Sequence, residues 1–425
     1  MSADPLGVTS PTATPASGTA PGGTATGAGN ELWGEDWPDV RALWPLEPTV
    51  AHLNHGAFGA VPRPVLEEQQ SWRDRMESNP TRFFTREAPG ALDETRSEVA
   101  QFLGCAPQSL AFVENATTAL NTVFSCFPLG GGDEVLLTNH AYGSVPIAAH
   151  RWSAAAGAKV VTAQLPLAPD DDAVLDAVMA AVTVRTRLAV LDHVTSPTAR
   201  RLPLAALIEA LHERQVAVVV DGAHGPGMLD LQLDSLGADF YAGNLHKWAL
   251  APRGAAILHA SPRWRGVLHP LVASWGEELG FPGAFHDTGT RDVTAWLSAG
   301  RALRTLGHLG IDRMRRHNRA LAADGQRTVA AALGLEPAEL PREPSISMQL
   351  IPLPPGIAAS TESAADLQNA VGERVGVEVA ATTWCGQGFL RVSAQAYNGP
   401  GDYARLAGAL SELLAEFAGD SAASP

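Results

Sequence analysis

The chain has 425 residues, 45% of them hydrophobic and 18% charged, a globular composition with length for two or three domains. Thirty Lys and Arg stand against 45 Asp and Glu, giving a formal charge of −15 that argues against nucleic acid or an anionic membrane as the main partner. Only two of the basic residues, Lys159 and Lys247, are lysine. Arginine can replace lysine in solubility and ion pairing, but not where a neutral amine must attack a carbonyl, because the guanidinium stays protonated.

In chain order, residues 1–30 are rich in Pro, Gly, Ala, Ser and Thr, and read as a disordered tail. They lack the basic start and apolar run of a signal peptide. His52 and His55 follow in an extended entry segment, where structural polar contacts are the expected role. Short apolar runs at 110–113, 135–137, 159–162, 188–191, 216–220, 239–242 and 255–257 read as strands. Between them lie helical patterns. Leu204, Leu207, Ile208 and Leu211 share one buried face. Strands alternating with helices predict an α/β fold whose mainly parallel central sheet is flanked by helices, with ligands at the carboxyl ends of the strands. This large domain is placed at 61–299. A smaller α+β domain is expected from 31–60 together with 300–418. It contains strands near 345–353 and 389–393, and a final helix with Leu406, Leu410, Leu413, Leu414 and Phe417 on one face and Asp402 as its cap. The run 313–316, with three arginines, reads as a solvated helix face. Cys105 and Cys126 read as core. No C-x-x-C pair or histidine cluster suggests a disulfide or a metal, and no apolar run is long enough to span a membrane. A cytoplasmic enzyme is the expectation.

Two strand ends carry the chemistry. Asp221 closes the apolar run 216–220 and opens Asp221-Gly222-Ala223-His224-Gly225-Pro226-Gly227, whose glycines bring backbone close to a neighbour. Further on, Lys247 lies in Gly243-Asn244-Leu245-His246-Lys247-Trp248, flanked by an imidazole and an indole. Lys159 opens a strand and reads as structural. An amine and a carboxylate at neighbouring strand ends suit pyridoxal phosphate: the aldehyde needs a lysine, and the pyridine nitrogen needs an acid partner. The segment Asn115-Ala116-Thr117-Thr118-Ala119-Leu120 supplies a helix N-terminus for the phosphate, with Ala116 and Thr117 at its start. Tyr142 offers an aromatic plate for the ring.

With these residues the chain resembles the class V aminotransferase group of fold-type I pyridoxal-phosphate enzymes, and within it isopenicillin N epimerase-like proteins. The resemblance runs from Leu53 to about Asn398. It includes Leu53-Asn54-His55-Gly56-Ala57-Phe58-Gly59, Asn79-Pro80-Thr81-Arg82-Phe83-Phe84, Asp192-His193-Val194-Thr195-Ser196-Pro197-Thr198, Gly289-Thr290-Arg291-Asp292 and Arg391-Val392-Ser393, with the stretches around Asp221 and Lys247 given above. It implies that Lys247 forms the Schiff base and carries protons, and that Asp221 partners the pyridine nitrogen. His224 would bond the phenolic oxygen, and Tyr142 would stack on the ring. Thr117, Asn244 and His246 would contact the phosphate, with His193 and Thr195 beneath the ring. Arg391 would hold the substrate carboxylate beside Asn54. Thr290 would reach the phosphate of a neighbouring subunit, implying a homodimer. Cys385 lies before Arg391, where desulfurases of the group carry a reactive cysteine, but its neighbours do not reproduce that loop, and an inert thiol in the pocket wall is expected.

The implied reaction is removal of the α-proton of an amino acid substrate. Reprotonation on the opposite face makes the enzyme an epimerase or racemase, the reading the resemblance favours. Loss of a β-substituent would make it a C–S lyase or a cysteine desulfurase-like enzyme, and reprotonation on the cofactor an aminotransferase. A non-catalytic binding protein of the same fold is disfavoured by the intact set Asp221, His224, Lys247 and Arg391.

Overall fold

The computed structural model describes residues 37–168 and 170–423, with side chains through Phe417, so the expected tail at 1–30 lies outside the described residues. Twelve strands occur among them: β1 (Ala51–His52), β2 (Leu110–Val113), β3 (Glu134–Thr138), β4 (Lys159–Ala163), β5 (Thr186–Asp192), β6 (Ala217–Asp221), β7 (Phe240–Asn244), β8 (Ala256–Ala260), β9 (Met348–Pro352), β10 (Val377–Glu378), β11 (Ala380–Trp384) and β12 (Gln387–Ser393). Seven form one sheet in the order β2-β8-β7-β6-β5-β3-β4. Strands β4, β3, β5, β6 and β7 run parallel, and β8 is antiparallel to both β7 and β2. The parallel majority follows from helices that cross over between strands and cover both faces.

Those two faces explain the continuous apolar runs. In β6, Val218 and Val220 belong to one core layer and Val219 to the other, the two-residue alternation of a strand buried on both sides. All three valines are fully buried, and each contributes on the order of 1.5–3 kcal/mol by leaving water. The helix Leu204–Glu213 covers the first face with the four apolar residues that its spacing predicts. The helices Ala116–Cys126 and Ser144–Ala156 cover the second.

A smaller antiparallel sheet, β11-β12-β9, packs against the helices Ile311–Ala332 and Pro400–Ala423. Ala51 and Leu53 join this core, with β1 pairing β10, whereas Val40 and Trp44 pack into the layer under the large sheet. Strand β11 has no counterpart among the sequence-derived strands. Its Ala-Ala-Thr-Thr-Trp run carries little apolar signal, and it is fixed by pairing with β12 through a tight turn at Cys385 and Gly386, both with positive φ.

Three local expectations are corrected. Asp402 is not the first cap of the final helix but lies in its first turn, where its carboxylate accepts the amide of Gly399 at 3.1 Å. Arg315 is not solvated. Its guanidinium is buried and donates to the carbonyls of Gly227 at 3.2 Å and Leu229 at 2.6 Å, tying the helix Ile311–Ala332 to the loop after β6. The exposed members of that run are Arg313 and Arg316. Cys385 stands exposed in the hairpin turn rather than in a pocket wall. Cys105 and Cys126 are half-buried at helix ends, and burial pushes the Cys105 thiol up to about 12. No helix among the described residues is long and apolar enough to cross a membrane.

Candidate active site

The parallel strands all end at one edge, and the reactive side chains gather there. Across neighbouring strands Asp192 of β5, Asp221 of β6 and Ala242 of β7 stand in register. Beyond β7 the chain turns through Leu245 and His246 into Lys247. Beyond β2, Asn115 caps the helix Ala116–Cys126 by accepting the Thr118 amide at 2.8 Å. Asn244 accepts the Ala116 amide, also at 2.8 Å, and so pins the helix start to the end of β7. Its carbonyl oxygen is thereby engaged, and its NH2 group is left as a donor on a residue that lines the cleft. Neither asparagine takes the Thr117 amide. The cleft so enclosed has a volume of about 150 Å³.

The glycines after Asp221 have a packing purpose. A Cβ on Gly222 would lie 2.0 Å from the Tyr241 ring, and one on Gly225 2.0 Å from its hydroxyl. The close neighbour is therefore the protein's own Tyr241, which supports the loop from below. Its hydroxyl shares a 3.1 Å hydrogen bond with His193 Nδ1.

Burial sets the charges. Lys247 is held down to about 7 by loss of water and then by the nearby Arg391 guanidinium, with Asp221 opposing. A large fraction of the amine is thus unprotonated at neutral pH. Asp192 and Asp221 are buried side by side, and two carboxylates cannot both stay charged at that depth. Desolvation and the Asp221 charge push Asp192 well up, so it holds the proton. Asp221, raised chiefly by burial, accepts the Ala223 amide at 3.0 Å and faces Lys247, so it keeps the negative charge. Desolvation, then the neighbouring cations, keep His224 well below its usual range, and its Nε2 lies 3.5 Å from Lys247 Nζ. His246 donates from Nδ1 to the Ala255 carbonyl at 3.2 Å and is lowered to about 4 by burial and then by Lys247.

Of the residues singled out from sequence, Ala116, Thr117, Tyr142, Asp221, His224, Asn244, His246 and Lys247 share the cleft wall. Arg391 lies just behind it. The guanidinium donates to the Ser196 carbonyl at 2.6 Å and its hydroxyl at 3.0 Å, and reaches Asn54 Oδ1 at 3.5 Å. Its Nε is buried without a partner, a donor left for a ligand.

The remaining three stand elsewhere. His193 faces Tyr241, and Thr195 bonds Thr198 at 2.7 Å and the Arg200 amide at 2.9 Å, both on the side away from the cleft. Asp192, Val194 and Ser196 are the members of that segment in the wall. Period-two alternation counted from the end of β5 would have selected them. Thr290 is exposed and lies outside the cleft of its own chain. His55 is fully buried, with its ring nitrogens on the Tyr397 hydroxyl at 2.9 Å and the Lys247 carbonyl at 3.1 Å, as a structural contact.

The class V aminotransferase family profile matches residues 52–406. The chain belongs to that family. It is 36% identical over 398 residues to an isopenicillin N epimerase of Amycolatopsis lactamdurans, spanning 89% of this chain and 98% of the relative. It is 30% identical over 400 residues to a probable chloroplastic L-cysteine desulfhydrase of Arabidopsis thaliana, spanning 87% and 84%. The cysteine desulfurase CsdA of Escherichia coli has a similar structure, with a TM-score of 0.73 at 23% identity over 89% of this chain and 98% of that one. The fold is accordingly that of type I enzymes, and the family cofactor is pyridoxal 5'-phosphate. The residues present fit that group: a partly unprotonated amine at Lys247, a buried carboxylate at Asp221, and a helix N-terminus with the Thr117 amide and hydroxyl at its mouth.

Proposed function

We propose that this class V enzyme is an amino acid epimerase of the isopenicillin N epimerase type. The carrying observation is that two proton-bearing side chains enter the cleft from opposite flanks while no thiol lines it. Lys247 follows β7 and Tyr142 follows β3, on either side of the β5–β6 pair that bears the two aspartates. The similarity to isopenicillin N epimerase across nearly that protein's full length supports the same reading.

When bound, pyridoxal phosphate supplies an electron sink that acidifies the substrate Cα–H. Arg391 binds the α-carboxylate through its unpartnered Nε, a planar fork held still by Ser196. The free amine of Lys247 takes the α-proton on one face, and the Tyr142 phenol delivers a proton to Cα on the other. Tyr142 lines the cleft on the β3 side, away from Lys247, and is the group assigned to that second face. With the cofactor bound, Asp221 would balance a positive charge on the ring nitrogen, while Asp192 beside it carries its own proton and adds no second charge. Thr117, Asn244 and the start of the helix Ala116–Cys126 would hold the phosphate.

A homodimer fits the surface of this chain. Val272, Trp275 and Leu279 are exposed at 56%, 95% and 69% on the segment leading to Thr290, an apolar stretch that a second copy would cover. Thr290 would then serve the partner's phosphate site.

A C–S lyase acting on a cysteine derivative is the second reading, favoured by the likeness to the L-cysteine desulfhydrase. The deciding experiment incubates an L-amino acid with the holoenzyme in deuterium oxide. Epimerisation puts deuterium at Cα of the recovered L-form as the D-form appears. Pyruvate released with sulfide and without inversion sinks the proposal in favour of the lyase, and release of a keto acid without β-loss marks a transaminase.

A further inference from the structure

Beneath the amine lies a three-residue chain of hydrogen bonds. The indole N–H of Trp248 donates to His224 Nδ1 at 3.3 Å, and His224 Nε2 faces Lys247 Nζ at 3.5 Å. Trp248 and His224 are 1% and 2% exposed, so the indole–imidazole contact is shielded from water. An indole nitrogen can only donate. The Nδ1 that meets it must therefore be an acceptor, and a neutral imidazole then carries its proton on Nε2. Burial keeps the ring neutral. The group presented to Lys247 is thus an N–H donor, which finds a lone pair on a free amine and none on an ammonium. The opposite tautomer would point a lone pair at Lys247, favour the ammonium, and leave two buried N–H groups facing each other across the Trp248 contact.

Trp248 is itself held in place. Its ring packs on His55 with centroids 4.8 Å apart. Its carbonyl lies so close to Gly227 that a Cβ there would come within 2.2 Å. The other charged and titratable groups facing the pair are Arg391 from β12, Asp221 from β6 with Asp192 beside it, His55 from the entry segment, and His246 next to Lys247. Arg391 and burial already disfavour the ammonium, and the fixed tautomer acts in the same direction.

We propose that Trp248 is a positioning residue that locks His224 as an Nε2–H donor and thereby keeps the Lys247 amine in its free-base form near neutral pH. The proposal rests on Lys247 being the reactive amine, but its test needs no turnover. The chain contains only two lysines, so cofactor-free protein labelled with 13C at lysine Cε gives two signals to follow with pH, and exposed Lys159 is the internal reference. 15N-histidine spectra of the same protein read the His224 tautomer.

In the wild type, His224 shows a bare Nδ1, and Lys247 titrates near 7. In Trp248→Phe the His224 proton redistributes toward Nδ1 and the Lys247 midpoint rises by about one pH unit, which lowers the free-amine fraction at pH 7 from about a half to about a tenth. In a His224→Phe background, Trp248→Phe leaves the Lys247 midpoint where it stands. The proposal is overturned by a protonated Nδ1 in the wild type, by an unchanged midpoint in Trp248→Phe, or by an equal shift in both backgrounds. Failure of the epimerase assay with these titrations intact would count against the reaction assigned above and not against this contact.

Discussion

Replacing Lys247 by Met should stabilise the cofactor-free protein, and only in a defined pH range. Methionine has nearly the volume of lysine without its charge. The amine has a pKa of about 7 in the fold against an ordinary 10.5. Between those values the unfolded chain binds more protons than the folded one, so wild-type stability rises with pH across the window. At pH 7 the mismatch corresponds to about 4 kcal/mol, and by pH 10 it has fallen to about 1 kcal/mol. Met also strands the His224 donor, a loss of about 1 kcal/mol at either pH. The expected result is a variant more stable than wild type by about 3 kcal/mol at pH 7 and equal to it near pH 10. Urea denaturation of both proteins without cofactor, repeated at the two pH values, measures it. A stability difference that does not change with pH would refute the claim that burial holds this amine down. Equal stability at pH 7 would do the same.

The other predictions concern acid, the carboxylate site, the thiol and the spare lysine. Nine buried or half-buried histidines, among them His55 and His193 at about 3, are held below their ordinary value, against two aspartates raised above theirs. Groups lowered in the fold stabilise it only while neutral, so stability should fall as pH drops from about 6.5 toward 4, read as a declining thermal midpoint. Arg391→Lys should raise KM for amino acid substrates about 100-fold, because a point charge cannot span the carboxylate, while cofactor absorbance stays unchanged. Cys385→Ser should retain full turnover, and a loss beyond tenfold would restore a desulfurase-type thiol. Lys159→Arg should be silent in every assay, since that residue is exposed at the start of β4.

How far the site could be read from the sequence differs from segment to segment. Lys247, Asp221 and the helix start at Ala116 were legible because each follows an apolar run, and in a parallel sheet every such run ends at the same edge. The scarcity of lysine removed the background around the amine. The segment 192–196 was half legible: its composition drew attention, but which residues face inward depends on the strand phase at the end of β5. The burial of Arg315 and the strand β11 carried no local signal, because both are decided by what packs against them. A run of arginines looks solvated until a loop places carbonyls over one of them.

The sequence by itself determined the strand-helix alternation, the two-sided burial of the central strands and the order of the reactive residues along the chain, because these depend on periodicity and on neighbours a few residues apart. Tertiary structure alone decided the chemistry of those residues. The low pKa of Lys247 needs the guanidinium of Arg391 from β12, 144 positions away, and a wall that excludes water. The split between Asp192 and Asp221 needs two strand ends in register, and the tautomer of His224 needs the indole of Trp248 beneath it. Charge and proton position are set by desolvation and by neighbours in space, and only the folded chain brings those neighbours together.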